Sequence, residues 1–168
     1  MTNQDSWIDF LPVSLASILF ISQIIVGVVS LSGVSQIKVL AYLGVGLYAI
    51  PGLVFGWLPM VEFRRKGEVE RGRSYIHTTR LVDTGIYSVV RHPQYVTFIM
   101  WAFAGMLLFQ TWLVVLLGIP VVPLIYVDLI KADKDGIEKF GDDYSAYMKR
   151  VPRANFLLGV IRRFRRGW

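Results

Sequence analysis

Residues 10–31 read FLPVSLASILFISQIIVGVVSL, a run of 22 residues without a charged side chain. A helix that crosses the hydrocarbon core of a bilayer needs about 20 such residues, so this run predicts a membrane-spanning helix. A secretory signal peptide would carry positive charge before a shorter apolar core. The residues before this run instead include Asp5 and Asp9 and no Lys or Arg. The run therefore predicts a membrane protein.

A second uncharged run covers residues 39–61 and is 23 residues long. This length is again sufficient for one span. The run contains Pro51, Gly52 and Gly56. Proline removes a backbone hydrogen bond from a helix, and small residues let helices approach closely. We therefore expect a span that is kinked or closely packed at this point.

The third uncharged run, residues 93–127, contains 35 residues. It is too long for one span of about 20 residues and a little short for two spans with a loop. The polar pair Gln110-Thr111 predicts a turn between two short spans, and Pro120 and Pro123 are expected to distort the second. The four predicted spans are about 10–31, 39–61, 95–109 and 111–127.

The basic residues indicate how these spans are oriented. Of the 18 Lys and Arg, one precedes the second span, seven lie within residues 64–91, and ten lie from residue 131 onward. Cytoplasmic loops are enriched in Lys and Arg, and four spans place both larger groups on one side. We therefore predict a single all-α domain over residues 1–168. It is a polytopic membrane protein with four transmembrane helices, a cytoplasmic C-terminal helical cap, and both termini and the active site in the cytoplasm.

The tail after Pro152 alternates apolar residues with arginines. Such a helix lies on the membrane surface with its arginines near anionic head groups. Arginines without a recognised nucleic-acid-binding fold do not predict a nucleic-acid partner, although the net charge is +6. The absence of cysteine excludes a thiolate metal site, and two histidines are too few for a multi-histidine cluster. We therefore expect no metal.

Polar residues gather in two segments, 64–95 and 128–153. The first ends in Arg91-His92-Pro93-x-Tyr95, where Pro93 suits the first turn of the third span. From spacing alone, these residues also fit simple interfacial anchors and an aromatic belt. The second segment has apolar residues at three- and four-residue steps, which predicts a helix facing the bundle and interrupted at Gly141. These residues are Ile137, Phe140, Tyr144, Tyr147 and Val151.

Two sequence blocks resemble the isoprenylcysteine carboxyl methyltransferase and phospholipid methyltransferase family. They are Gly85-Ile-Tyr87-x-x-x-Arg91-His92-Pro93-x-Tyr95 and Phe140-Gly141-x-x-Tyr144-x-x-Tyr147-x-x-x-Val151-Pro152-Arg153. The likeness covers about residues 81–153. It implies an integral membrane enzyme that uses S-adenosylmethionine. The acceptor implied is a lipid or a lipidated molecule, such as a prenylcysteine carboxylate.

The resemblance also implies roles for individual residues. Family members usually carry a Glu-Glu pair seven or eight residues before the Phe-Gly, and this chain has Ala132 and Asp133 there. Many members have a histidine where Thr79 stands, and His77 is nearby. Asp133 is therefore the implied acidic contact. The implied cofactor-binding residues are Tyr87, Arg91, His92, Pro93, Tyr95 and Asp133.

Asp133 and Arg153 are also the expected catalytic residues, and Tyr147 and Arg153 are expected to bind the acceptor. A tyrosine ring can hold a sulfonium cation. Asp133 could accept from the cofactor's ammonium or order the nearby arginines, and Arg153 could position a carboxylate. A carboxylate acceptor needs no base, whereas an amine would need one, with His92 or Asp133 as the candidates.

Two other functions remain open at this point. Sterol-reductase-like membrane enzymes share a His-Pro-x-Tyr block and a Tyr-x-x-Tyr ending and bind NADPH, but they usually have more spans. A non-catalytic membrane adaptor derived from the methyltransferase fold is favoured by the missing second glutamate. Binding of S-adenosylmethionine or of NADPH would separate these possibilities.

Overall fold

The computed structural model describes residues 5–30, 37–67 and 79–166, and every regular element within these ranges is helical. The expected all-α class is thereby confirmed. A π-helical stretch, Gly52–Trp57, joins the second helix to the third, and a 3₁₀ turn, Gly85–Ser88, precedes the fourth. The α-helices are α1 Asp5–Ser30, α2 Lys38–Pro51, α3 Leu58–Lys66, α4 Pro93–Phe109, α5 Trp112–Gly118, α6 Val121–Arg150 and α7 Phe156–Arg166.

Among the described residues, three helical stretches and not the expected four are long and apolar enough to cross a membrane. They are Phe10–Ser30, Lys38–Lys66 and Trp112–Arg150. The prediction of four spans, with a short one at 95–109, is therefore wrong. The apolar helix there, α4, has 17 residues, which at 1.5 Å per residue gives about 25 Å. That is less than the hydrocarbon thickness of about 30 Å.

The turn that ends α4 falls where the sequence predicts it. Gln110 adopts a left-handed backbone with φ 52°, and the Thr111 hydroxyl oxygen accepts a hydrogen bond from the Val114 N–H at 3.4 Å. This is an N-cap for α5. The Gln110 side chain also accepts from the Ile37 N–H at 2.9 Å and donates to the Ile37 carbonyl at 3.1 Å. The tip of the α4–α5 hairpin is thus attached to the residue that precedes α2.

The expected distortions at proline are present at Pro51 and Pro120. The expectation is wrong for Pro123, which lies in the first turn of α6, where its missing N–H costs no hydrogen bond within the helix. α2 ends at Pro51, and the following Gly52–Trp57 is π-helical. A proline ring clashes with the carbonyl four residues earlier and removes one N–H donor, so a widened turn beside it is a common outcome. In the same way, α5 ends at Gly118 and α6 begins at Val121, on either side of Pro120.

The chain forms two compact units. The first contains Met1–Pro51 and Phe98–Ile130, and its helices approach closely where glycines lie. A Cβ atom at Gly44 would lie 2.8 Å from the Leu108 Cγ and 2.9 Å from the Leu108 backbone nitrogen. Contacts this short require the small side chain, so glycine sets the spacing of these helices.

The second unit contains Gly52–Thr97 and Lys131–Trp168. Its core includes the buried side chains of Tyr144, Tyr147 and Val151, against which Leu81 and Met148 pack. The three buried residues Tyr144, Tyr147 and Val151 are members of the apolar stripe that the sequence predicts along the second polar segment. Four members of that stripe, Phe140, Tyr144, Tyr147 and Val151, therefore face the core, whereas Ile137 is 41% exposed and the expectation is wrong for that residue. The polar residues around the buried members form the candidate site.

Candidate functional site

The carboxylate of Asp133 is the centre of the polar cluster in the second unit. It accepts five hydrogen bonds from four side chains, and only 3% of the Asp133 side chain is exposed. Arg91 donates from Nε at 3.1 Å and from Nη2 at 2.7 Å, and Arg153 donates from Nε at 2.6 Å. The Tyr144 hydroxyl donates at 3.0 Å, and His92 Nε2 lies 2.7 Å from Oδ1.

A reversal of the chain at Gly141 brings Tyr144 to Asp133. Eleven residues of straight helix would separate the two positions by about 16 Å along the axis. Gly141 instead has φ 56° and ψ −128° inside α6, a conformation that glycine tolerates and other residues avoid. Gly136 leaves room for the returning ring, since a Cβ atom there would lie 2.4 Å from the Tyr144 Cζ. The expected interruption at Gly141 is therefore confirmed, and its effect is to close the site.

Arg91 connects Asp133 to the end of α6. Besides its two bonds to Asp133, its Nη1 donates to the carbonyls of Met148 at 3.0 Å and Val151 at 2.6 Å. The last carbonyls of a helix lack partners within the helix and carry partial negative charge, so a buried guanidinium stabilises them. The Arg91 side chain makes four hydrogen bonds to the protein, and the residue is 8% exposed. It is held as part of the framework of the site.

Backbone hydrogen bonds join the two sequence blocks directly. The Arg91 N–H donates to the Pro152 carbonyl at 3.1 Å, and the His92 N–H donates to the Arg153 carbonyl at 3.2 Å. Pro93, which is buried, begins α4. A proline at the first helical position loses no hydrogen bond, because that N–H has no partner within the helix. The paired backbone fixes His92 and Arg153 beside each other.

The two remaining tyrosines of the first block have different surroundings. Tyr87 is buried, its ring lies 4.6 Å from that of Phe63, and its carbonyl accepts a hydrogen bond from the Tyr147 hydroxyl at 2.7 Å. Tyr95 is half-buried and meets the edge of the His92 ring at 5.8 Å. Tyr147 therefore supports the turn that carries Tyr87, while Tyr95 and His92 form a more accessible pair.

The site keeps Asp133 ionised. Asp133 lies beyond the apolar stretch that ends at Val127, so it belongs to the polar part of α6. Burial alone would raise the pKa of its carboxyl group, but the hydrogen bonds from His92, Arg91 and Arg153 outweigh burial and hold that pKa well below its ordinary value. Burial, followed by the neighbouring Asp133 charge, raises the pKa of Tyr144 above its ordinary value. Tyr144 thus remains a hydrogen-bond donor.

Most of the residues singled out from the sequence are brought together. Arg91, His92, Asp133 and Arg153 share one cluster, and Pro93 begins the helix beside it. Tyr144 was not among the predicted site residues, although it belongs to the second block and to the apolar stripe. Because Tyr144 belongs to both patterns, the sequence contained a signal that could have identified it as a site residue. His77 lies outside the described residues.

The comparisons with known proteins agree with the motifs. Residues 73–137 match the model of the isoprenylcysteine carboxyl methyltransferase (ICMT) family. Over 107 residues the chain is 32% identical to the Protein-S-isoprenylcysteine O-methyltransferase of Schizosaccharomyces pombe (strain 972 / ATCC 24843). This alignment covers 58% of the present chain and 45% of the yeast enzyme, so the chain spans less than half of that relative. No solved structure matches the chain.

The resemblance to the isoprenylcysteine carboxyl methyltransferase family is therefore confirmed. The matched residues contain the whole first block and Asp133. The second block follows the matched segment and is joined to the first by the backbone bonds of Arg91 and His92.

Proposed function

We propose that this protein is a membrane methyltransferase that transfers a methyl group from S-adenosylmethionine to the carboxylate of a prenylcysteine. The observation that carries the proposal is the Asp133 cluster, which unites the first block, within the family match, and the second block. The similarity to a Protein-S-isoprenylcysteine O-methyltransferase supports the same chemistry. The three apolar helical stretches suit an enzyme whose acceptor carries a lipid chain.

The side chains around Asp133 have the chemistry to hold the methyl donor. S-adenosylmethionine supplies a methyl group on a sulfonium cation and also carries an ammonium, a carboxylate and an adenine. Tyr95 presents a half-buried aromatic ring beside His92, and such a ring attracts a cation. Tyr87, Arg91 and Pro93 belong to the same sequence block and are buried. In this proposal His92 and Tyr95 contact the donor, and the buried residues position them.

Arg153 is suited to the acceptor carboxylate. Its Nε is held by Asp133 at 2.6 Å, and 28% of its side chain is exposed, more than for any other cation of the Asp133 cluster within the described residues. A guanidinium held in this way can orient a carboxylate through further N–H donors. Tyr147, by contrast, uses its hydroxyl on the Tyr87 carbonyl, so its contribution to acceptor binding would be indirect.

The electrostatics favour a carboxylate acceptor over an amine. When a carboxylate attacks the methyl carbon, a carbon–oxygen bond forms, the carbon–sulfur bond breaks, and no proton has to be removed. An amine acceptor would need a general base. Asp133 is a poor base because its pKa is held well below the ordinary value and both oxygens already accept hydrogen bonds. Asp133 is accordingly a positioning residue for His92 and Arg153.

The proposal extends to the membrane surface. In α7, Leu157, Ile161 and Phe164 are exposed apolar residues, and Arg162 and Arg165 are exposed on the same short helix. This composition suits a helix that lies at the interface with its arginines near anionic head groups. Native mass spectrometry should find more phosphatidylglycerol bound to the wild type than to an Arg162→Ser/Arg165→Ser variant. Equal binding would contradict this part of the proposal.

We also propose that both termini and the site are cytoplasmic. The hairpin tip at Gln110 is attached to Ile37, before α2. The α4–α5 hairpin therefore returns the chain to the side it left, whether or not its short first helix spans the bilayer completely. Seven and ten basic residues then share that side, as cytoplasmic segments do. Reporter fusions at the two ends should both report the cytoplasm, and opposite sides would refute this topology.

A methyl-transfer assay tests the proposed activity. Purified protein in nanodiscs is incubated with S-adenosylmethionine, labelled in the methyl group, and N-acetyl-S-farnesylcysteine. We expect a labelled product that releases methanol in base, because a carboxyl methyl ester is base-labile. N-acetylcysteine, which lacks the prenyl chain, is the matched control and should remain unlabelled. Absence of transfer, or a base-stable product, would overturn the assignment.

Two substitutions connect the activity to the site. His92→Ala should weaken binding of S-adenosylmethionine at least tenfold without loss of helicity. Asp135→Asn is the control, because Asp135 is an exposed carboxylate on the same helix as Asp133. Equal donor affinity in wild type and His92→Ala would show that the donor binds elsewhere.

A further inference from the structure

The second compact unit contains a cavity of about 240 Å³ beside the C-terminal end of α3. Three of the lining residues are cations, Arg65, Lys66 and Arg80, and all three are exposed. The rest of the lining is Leu81, Val82, Asp83 and Thr84. None of these residues belongs to the Asp133 cluster. Because the cations are exposed, a solute or a lipid head group can reach them.

Two hydrogen bonds fasten the walls of this cavity to each other. The Thr79 N–H donates to the Gly67 carbonyl at 3.1 Å, and the Lys66 Nζ donates to the Thr84 hydroxyl oxygen at 2.9 Å. These bonds attach both ends of the segment 79–84 to the end of α3. The lining cations on the two walls are therefore held on one framework.

The cavity has an excess of positive charge. Lys66 pairs with Glu62 at 3.1 Å, and Asp83 pairs with Arg150 at 3.1 Å. The charged lining residues and these two partners together comprise four cations and two carboxylates, which leaves a net charge of +2. A phosphate monoester carries a charge of about −1.5 to −2 near pH 7 and has three strong acceptor oxygens. Its charge complements that of the cavity, and guanidinium and ammonium groups are its usual partners in proteins.

The position of the cavity favours a phosphate that belongs to a lipid. Arg65 and Lys66 lie in the last turn of α3, a few residues after the uncharged run 39–61 ends. They end the helical stretch Lys38–Lys66, which is long and apolar enough to cross a membrane. The head groups of a bilayer lie beyond the ends of its apolar helical segments, and basic pockets there bind anionic head groups.

We propose that this cavity binds a phosphate monoester group, such as the head group of phosphatidic acid. Arg65 and Arg80 donate hydrogen bonds to the phosphate oxygens, and Lys66 contributes a third positive charge. A volume of 240 Å³ equals that of about eight molecules of liquid water. This is room for the phosphate and its ester oxygen, while the acyl chains stay in the bilayer. The site uses neither the Asp133 cluster nor the arginines of α7.

A comparison of two lipids tests the preference for a monoester. Phosphatidic acid carries a phosphate monoester, whereas phosphatidylglycerol with the same acyl chains carries a phosphodiester with a single charge. Each lipid is added at equal concentration to the full-length protein in detergent near pH 7, and bound lipid is counted by native mass spectrometry. We expect the wild type to bind at least fivefold more phosphatidic acid than phosphatidylglycerol. This comparison requires no variant to fold.

Substitutions of single arginines locate the preference. Arg65→Ser and Arg80→Ser each remove one lining cation and should reduce the preference for phosphatidic acid to less than twofold. Arg64→Ser is the matched control, because Arg64 is exposed in the same turn of α3 and is not a lining residue. It should keep the preference. The Arg162→Ser/Arg165→Ser variant of α7 should bind less of both lipids and also keep the preference. Far-ultraviolet circular dichroism checks that each variant remains helical.

A soluble competitor identifies the source of the phosphate. Glycerol 3-phosphate carries the same monoester without acyl chains. If it displaces phosphatidic acid only at a hundredfold excess or more, the cavity is a lipid site. Displacement at equal concentration would assign the cavity to a soluble phosphate ester. Both results retain the phosphate site.

Three results would overturn the proposal. They are equal binding of phosphatidic acid and phosphatidylglycerol by the wild type, an unchanged preference in folded Arg65→Ser and Arg80→Ser variants, and an equal loss of preference in Arg64→Ser and Arg65→Ser. None of these results affects the methyl-transfer assay. Conversely, a protein without methyltransferase activity that still prefers phosphatidic acid would keep this site and lose only the proposed function.

Discussion

The first compact unit is stabilised by close apolar packing, whereas the second is stabilised by a buried network of charges. In the first, Gly44 lies against Leu108, and Gln23 provides buried side-chain hydrogen bonds. In the second, Asp133 alone accepts five hydrogen bonds and faces two arginines. The two units therefore depend on different kinds of residue for their stability.

The two kinds of packing suit two different environments, hydrocarbon and water. Hydrocarbon provides no hydrophobic force between helices, so helices within it associate through small residues and a few polar contacts. A charge network is suited to a polar environment, where its outer members reach water and solutes. Arg153 is such a member, while Asp133 and Arg91 are buried behind it. The predictions below test this division.

The largest effect is expected for Asp133→Asn. The amide cannot neutralise Arg91 or Arg153, and removing one partner of a buried ion pair costs about 3–5 kcal/mol. We expect the free energy of unfolding in detergent to fall by about 3 kcal/mol or more, and methyl transfer to fall at least a hundredfold. Chemical denaturation and the farnesylcysteine assay measure the two effects.

Two control variants show whether the charge at this position is responsible. Asp133→Glu restores the carboxylate with one additional methylene, as in the family's usual acidic pair, and should recover part of the activity and stability lost in Asp133→Asn. Asp135→Asn, at an exposed position, should change stability by less than about 0.5 kcal/mol. Equal effects of Asp133→Asn and Asp135→Asn would mean that the buried network does not stabilise the second unit. For the Asp133 variants, kcat and KM are measured separately. A displaced Arg153 would change the KM for the acceptor selectively, whereas loss of a purely structural contribution would not.

The sequence predicts where the apolar helices lie better than it predicts how many of them are long enough to span a membrane. Uncharged runs located the apolar helices, because a bilayer imposes a composition that is visible without the structure. The run at 93–127 correctly indicated the end of α4 at Phe109, but that helix has only 17 residues, too few for a complete span. That end depends on the left-handed backbone of Gln110 and the cap at Thr111. Composition alone therefore overestimated the number of spanning helices.

The candidate site was predictable as a set of residues and not as a network. The resemblance pointed to Arg91, Asp133 and Arg153, and the structure brings them together. The bonds from Arg91 to the Met148 and Val151 carbonyls could not be predicted. They require the chain to reverse at Gly141, and a glycine in a helical pattern indicates an interruption without giving the direction that follows.

The next largest effect tests packing in the first unit. Gly44→Ala places a Cβ atom 2.9 Å from a backbone nitrogen of Leu108, so a helix has to move. Overpacking of this kind costs about 1–3 kcal/mol, and we expect the free energy of unfolding to fall by about 2 kcal/mol. Gly46→Ala is the matched control on the same helix, where a Cβ atom meets nothing within 4 Å. That variant should be neutral or slightly more stable. Equal destabilisation by both variants would contradict the close packing of Gly44.

A smaller effect is expected from a neutral hydrogen bond in the second unit. Tyr147→Phe removes the hydroxyl that donates to the Tyr87 carbonyl at 2.7 Å and leaves that carbonyl without this bond. The expected loss is about 1.5 kcal/mol. Tyr42→Phe is the control, because Tyr42 is 73% exposed. Comparable stability of Tyr147→Phe and Tyr42→Phe, measured by denaturation, would show that the charged members alone stabilise the second unit.

The smallest effect distinguishes the units by pH. Because the pKa of Asp133 is lower in the folded protein than in the unfolded chain, its stabilising contribution is complete above the unfolded value of about 3.9 and declines as the pH falls below it. The stability difference between wild type and Asp133→Asn should therefore shrink by about 1 kcal/mol between pH 5 and pH 3. The difference between wild type and Gly44→Ala should stay constant over the same range, because the contacts of Gly44 with Leu108 involve no titratable group. A pH-independent Asp133 difference, or one that grows in acid, would mean that the carboxylate is not stabilised in its ionised form, and the contrast between the two units would lose its electrostatic basis.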